Sequence, residues 1–151
     1  MPDKSYLLSQ NNDMERIIFG FTDEYYFPYI TVDIENPITH LTSVNVKTII
    51  DTGASYCLLK NEIIEYLKLS SFRKSEIINP IYKRRETDNY FVDVIIDANN
   101  SEGSARMKGI RVNTLLDTSY PCGMIIGAEL LQHCIFEYNG INKHFKITFK
   151  F

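Results

Sequence analysis

The run from Val46 to Leu59 reads VKTIIDTGASYCLL, a β-branched apolar stretch that halts on a carboxylate and a glycine before turning apolar again. An acid at the end of a buried strand is costly unless hydrogen bonds compensate it. Gly53 permits a tight turn in which backbone N–H groups come close to the Asp51 carboxylate. Thr52 and Ser55 each add a hydroxyl able to hydrogen-bond an acid or a neighbouring backbone group. With apolar residues on both flanks, the turn is pressed against the core and the acid is fixed in place. A rigid, hydrogen-bonded carboxylate in a partly dry setting is what general acid–base catalysis requires. Most acids in such positions are plain turn formers, so the elements around Asp51 decide between the two.

Those elements are mostly strands. Tyr26 to Ile34 is rich in aromatic and β-branched residues, and Pro28 belongs at a strand start or sheet edge. Val44, Val46, Thr48 and Ile50 alternate with Asn45, Lys47 and Ile49, which predicts a strand buried on at least one face. Asn61 to Lys68 predicts a short helix capped by Asn61, with Ile63, Ile64 and Leu67 on one side. Tyr90 to Asp97 and Ala105 to Val112 flank the turn-rich ANNSEGS, a hairpin signal. Cys134 to Tyr138 and Ile141 to Phe149 are joined by Asn139-Gly140, a dipeptide that tolerates positive φ at both residues. Many short strands with one or two short helices predict an all-β sandwich or barrel. Residues 1 to 14 are polar and aperiodic and are expected to be a flexible arm, with 15 to 151 as one domain.

Composition narrows the function classes. The chain has 151 residues, 44% hydrophobic and 23% charged, with a formal net charge of -3. That balance leaves no basic excess to neutralise phosphates, so nucleic acid is not an expected partner. Lys83-Arg84-Arg85 is followed at once by Glu86 and Asp88 and reads as a solvated, mixed-sign surface. Cys57, Cys122 and Cys134 are odd in number and lack a CxxC pair, so neither a disulfide scaffold nor a metal site is expected. His133 and Cys134 are sequence neighbours, which point to opposite faces of a strand, and no second pair exists. No signal peptide and no apolar run of about 18 residues is legible, so the expectation is a cytoplasmic protein with no membrane partner.

Asp-Thr-Gly-Ala-Ser after an apolar strand resembles the active-site loop of aspartic proteases. Gly123-Met124-Ile125-Ile126-Gly127-Ala128-Glu129-Leu130-Leu131 is similar to the second signature of the single-domain, retropepsin-like branch, where an apolar pair, a glycine and a short helix pass beneath the catalytic loop. The resemblance spans about residues 26 to 151. It implies an acid-protease-like closed or partly open β-barrel that hydrolyses peptide bonds without a cofactor. It implies Asp51, Thr52 and Gly53 as the catalytic turn: Asp51 the carboxylate, Thr52 bonding across a twofold axis, and Gly53 holding the acid or the substrate backbone. Ser55 would hydrogen-bond the outer oxygen of Asp51, and with Ala54 would face a peptide or protein substrate. Ile125, Ile126 and Gly127 would form the structural floor. The family's flap falls on about Glu76 to Lys83, so Asn79, Pro80, Ile81 and Tyr82 are substrate-side candidates, although this segment holds no glycine.

The chemistry needs two carboxylates, and the chain has no second DTG or DSG. Asp33, Asp93, Asp97 and Asp117 all lack a following glycine, and Asp117-Thr118-Ser119 reads as a turn. The resemblance therefore implies a homodimer in which two copies of Asp51 meet on a twofold axis. Phe145, Ile147, Phe149 and Phe151 alternate with Lys146, Thr148 and Lys150, which suits either an interface strand or an edge strand of one chain. The alternative function is a catalytically silent retropepsin-like module for dimerisation or peptide binding, motivated by the glycine-free flap and the single motif.

Overall fold

Pro28 opens a strand, as its missing N–H dictates, and from there the chain winds a barrel. The computed structural model describes residues 7–9, 15–79, 83–96, 105–117 and 119–150. The strands are β1 (Leu7–Ser9), β2 (Glu15–Thr22), β3 (Pro28–Glu35), β4 (Thr42–Ile50), β5 (Cys57–Lys60), β6 (Arg73–Asn79), β7 (Lys83–Ile96), β8 (Ala105–Leu115), β9 (Met124–Ile126), β10 (Cys134–Asn139) and β11 (His144–Lys150). Two short helices, α1 (Asn61–Tyr66) and α2 (Ala128–Leu131), interrupt them. Pairings run β3–β4–β9–β5–β8–β7 and return from β7 to β3, so these 6 strands close an all-β barrel. Leu7–Ser9, inside the segment expected as an arm, pairs antiparallel with β8.

Closure concentrates the apolar alternation inward. Val32, Ile34, Val46, Ile50, Leu59, Val92, Val94, Val112, Met124 and Ile126 form one buried core with Ile64 of α1 and Leu130 of α2. The alternation of β4 has a second consequence. Ile50 faces the barrel, while Ile49 joins Leu115, Cys122 and Ile125 in a separate small cluster on the other side. Both faces of β4 are thus apolar near its end, which explains the unbroken Thr48-Ile49-Ile50 run before Asp51.

Three expectations are corrected. The described part of the C-terminal ladder is neither an interface strand nor an edge strand: β11 is bonded to β10 on one side and β2 on the other, and Phe145, Ile147 and Phe149 lie in the core, while Phe151 lies outside the described residues. Alternation reports one buried face but not the neighbours, and the gap was filled by the chain's own β2. Asn61 is not the cap of α1; that place is taken by Lys60, and the Asn61 amide donates instead to Glu65 Oε1 at 3.0 Å. At the β10–β11 hairpin the turn spans 140–143, and positive φ falls on Lys143 rather than on the Asn-Gly pair. Asn139 Oδ1 accepts from the Ile141 and Asn142 N–H groups, each at 3.1 Å, so its side chain rather than its φ makes the turn.

A charged knot ties the barrel seam. Arg106 of β8 donates to Glu35 of β3 at 3.1 Å and to Asp93 of β7 at 3.2 Å. Asp93 also accepts the Gly109 N–H at 3.0 Å, at a bulge where Gly109 takes φ +64. Burial pushes Glu35 up, but its bonds with Arg106 and His40 outweigh that and hold it below the usual carboxylate range. A carboxylate depressed in the folded chain adds stability above its unfolded value, and loses it as pH falls through the folded one. Glu35→Gln is accordingly expected to cost about 1–3 kcal/mol near neutrality. It should also flatten the loss of stability between about pH 5 and 3. Urea midpoints of both proteins across that range check both effects.

Candidate active site

Asp51 follows β4 at the point where β9 runs parallel beside it, with Ile50 opposite Ile126. Its backbone N–H donates to the Ile126 carbonyl at 2.9 Å, which fixes the start of the turn. The Gly53 N–H then donates to Asp51 Oδ1 at 2.8 Å, and the Ala54 N–H to the Asp51 carbonyl at 3.2 Å. One carboxylate oxygen is held by the turn, while Oδ2 has no protein partner among the described residues. Asp51 is half-buried, and Thr52, Gly53 and Ser55 are exposed at the crest. The Ser55 hydroxyl makes no bond to Asp51 among the described hydrogen bonds, contrary to the role the resemblance implied for it.

The turn is gripped from behind. The Ala128 N–H donates to the Ala54 carbonyl at 2.7 Å and the Glu129 N–H to the Ser55 carbonyl at 3.0 Å. These are among the first N–H groups of α2, which have no partner within the helix. Gly127 stands between, with the space of its absent Cβ only 2.3 Å from the Tyr56 carbonyl oxygen. Ile125 and Ile126 are fully buried on opposite faces of β9, Ile126 in the barrel core and Ile125 in the small cluster. The Arg111 guanidinium sits 5.1 Å from the centre of the Tyr56 ring and bonds Glu129 at 3.0 Å, closing the loop's exit onto α2.

In front of Asp51 lies a cleft of about 420 Å³. Ile125 and Leu58 line it, and the loop contributes Ala54, Ser55 and Tyr56. From β6 come Glu76 and Ile78; β6 and β7 pair antiparallel from Arg73↔Asn89 to Asn79↔Lys83, so the flap region is a β-hairpin although it lacks glycine. Asn79 ends the described part of β6, and Pro80, Ile81 and Tyr82 lie outside the described residues. The stretch after β8, whose end pairs with β7, adds Leu116, Asp117 and Tyr120 to the lining. Burial raises the Tyr120 phenol and the charges of Asp51 and Asp117 raise it further, so it stays a hydrogen-bond donor. Sequence reasoning passed over Tyr120 and took Asp117 for a turn. It is one, accepting from Ser119 N–H and Oγ at 2.9 and 2.6 Å, but it also lines the cleft. The signal available was its place between a long strand and the Gly123-Met124-Ile125-Ile126-Gly127 stretch.

The three thiols are free, and burial raises each: Cys57 is pushed up to about 11 and Cys134 to about 12. They are inert packing groups rather than nucleophiles. Among the described residues, no His, Cys, Asp and Glu side chains gather as a metal site. No helix among them is long and apolar enough to cross a membrane.

No protein-family model matches the chain, and no curated protein is significantly similar to it. Among solved structures, it is similar to a retropepsin-like aspartic protease from Rickettsia conorii, with a TM-score of 0.60 over 94% of this chain and 98% of that chain. The two share 18% sequence identity, so the likeness concerns the fold.

Proposed function

We propose that this chain, which has the retropepsin-like fold, is an aspartic endopeptidase that works as a homodimer. The observation that carries the reading is the Asp51-Thr52-Gly53 turn, braced from behind at Gly127 and opening on a peptide-sized cleft. Two Asp51 carboxylates brought within about 3 Å across a twofold axis cannot both be ionised, so the pair holds one proton. The ionised member takes a proton from a water whose oxygen attacks the scissile carbonyl carbon. The protonated member gives its proton to the carbonyl oxygen, forming a tetrahedral diol. Proton transfer to the amide nitrogen then breaks the C–N bond and restores the pair. Gly53 keeps one oxygen of each acid fixed, and the exposed Thr52 is free to bond the partner's loop. Ala54, Ser55, Asn79, Pro80, Ile81 and Tyr82 are the proposed peptide-facing groups. The free thiols, buried at Cys57 and Cys122 and half-buried at Cys134, suit a reducing compartment, where we place the protein.

Each active centre needs two chains, so peptide cleavage per chain is expected to fall on dilution, with total rate rising as the square of concentration below the dimer's dissociation constant. Sedimentation across the same range gives the dimer fraction. A rate that stays proportional to concentration where the protein is monomeric overturns the shared dyad.

A further inference from the structure

The cleft carries a charge asymmetry that the hydrolytic reading does not use. Among its described lining residues are three carboxylates, Asp51, Glu76 and Asp117, and no Lys, Arg or His. The remainder is largely apolar, with Leu58, Ile78 and Ile125 prominent. Glu76 and Ile78 are two apart on β6 and lie on one face of the flap hairpin, whereas Asp117 comes from the stretch after β8. Acids from three separate segments lining one largely apolar cavity focus negative potential into the space a ligand would fill.

The two outer acids differ in how they are held. Glu76 is 3.9 Å from Arg84 in an exposed pair, a loose contact of little strength. Asp117 has no cation within ion-pair distance among the described residues. Its Oδ1 is fixed by Ser119, and those bonds keep the carboxyl below its usual range, so it is anionic at any working pH near neutrality. The rise in the Tyr120 phenol, after burial, comes from Asp51 and Asp117 together, so both charges act on the same corner of the cleft. A side chain with a long apolar stem and a cationic head fits this lining: methylenes along Leu58 and Ile125, head group at Asp117.

We propose that the cleft selects peptides bearing a Lys or Arg side chain near the scissile bond, with Asp117 as the residue that sets this specificity. The inference rests on the reading of the cleft as a peptide site, but its test does not depend on cleavage. Short fluorescent peptides of Leu, Val and Ala are made with a single Lys at each position in turn, alongside matched sets with norleucine or Glu there. Binding is read by fluorescence anisotropy on Asp51→Asn protein, so that no peptide is consumed. At one position, Lys is expected to bind roughly five- to tenfold more tightly than norleucine, and Glu more weakly than either. Adding Asp117→Asn should bring Lys and norleucine within about twofold. Asp117→Lys should reverse the order in favour of Glu, which no loss of folding can imitate. Equal affinities, no binding by any peptide, or a Lys preference surviving both changes at Asp117 overturns the proposal. Hydrolysis of the same peptides by the unchanged protein is scored separately. A Lys preference without cleavage defeats the enzyme reading and leaves this one standing, and cleavage indifferent to Lys does the opposite.

Discussion

Asp51→Asn is expected to lower peptide cleavage by at least about 10³-fold while leaving the unfolding midpoint nearly unchanged. The size follows from the chemistry, because an amide can neither take the proton from water nor return one, and both halves of the dyad change at once in a homodimer. The small effect on folding follows from the geometry. Among the described residues, the one bond to the side chain comes from the Gly53 N–H at 2.8 Å, and an Asn Oδ1 accepts it as well. The residue is half-buried with an open cleft before it, so the swap of oxygen for NH2 leaves no donor sealed from water. Activity is to be measured with a peptide pool and mass detection of products, and the midpoint with urea. Cleavage that survives in purified Asp51→Asn protein rules out the carboxylate mechanism. If neither protein cleaves while both bind peptide, the silent module is the correct reading.

Much of this site was legible because its determinants are local. An apolar strand ending in Asp-Thr-Gly specifies a strand, a tight turn and a held acid within one short segment, and the structure supplies the bond from Gly53 to Asp51. Pro28 marked the start of β3, and the apolar Met124-Ile125-Ile126 became the strand beside Asp51. What stayed hidden depends on partners distant in sequence. Phe145, Ile147 and Phe149 alternate in the same way whether the covering strand is another chain's or the chain's own β2. Asp117 and Glu76 are ordinary surface acids until the hairpin and the segment after β8 are folded around one cavity. The flap was obscured for a different reason. Its strands are held by a long antiparallel register from Arg73↔Asn89 onward, so pairing rather than glycine at the tip defines the hairpin. Arg106 carried no pattern at all, because a seam between β3, β7 and β8 exists only once the barrel closes.

Gly127→Ala tests whether the second signature braces the catalytic turn, and its expected cost is about 3 kcal/mol or more, with cleavage lost. A methyl at this position would lie 2.3 Å from the Tyr56 carbonyl oxygen and 2.7 Å from that of Ala54. Both obstacles are backbone, so no side-chain rotation relieves them. The φ of -102° at Gly127 is one that alanine adopts freely, so the penalty is purely steric and not conformational. Relief requires α2 and the 54–56 segment to separate, which breaks the bonds from Ala128 and Glu129 to the Ala54 and Ser55 carbonyls. Asp51 itself is tied to the same strand through the Ile126 carbonyl, so its carboxylate moves with the loop. Gly53→Ala makes the contrast: a methyl there meets only Asp51 Oδ1, at 3.2 Å, the end of a side chain. It should therefore disturb activity more than stability, whereas Gly127→Ala lowers both. A Gly127→Ala protein with an unchanged urea midpoint and intact peptide binding shows that the close approach of α2 to the loop is not what holds Asp51 in place.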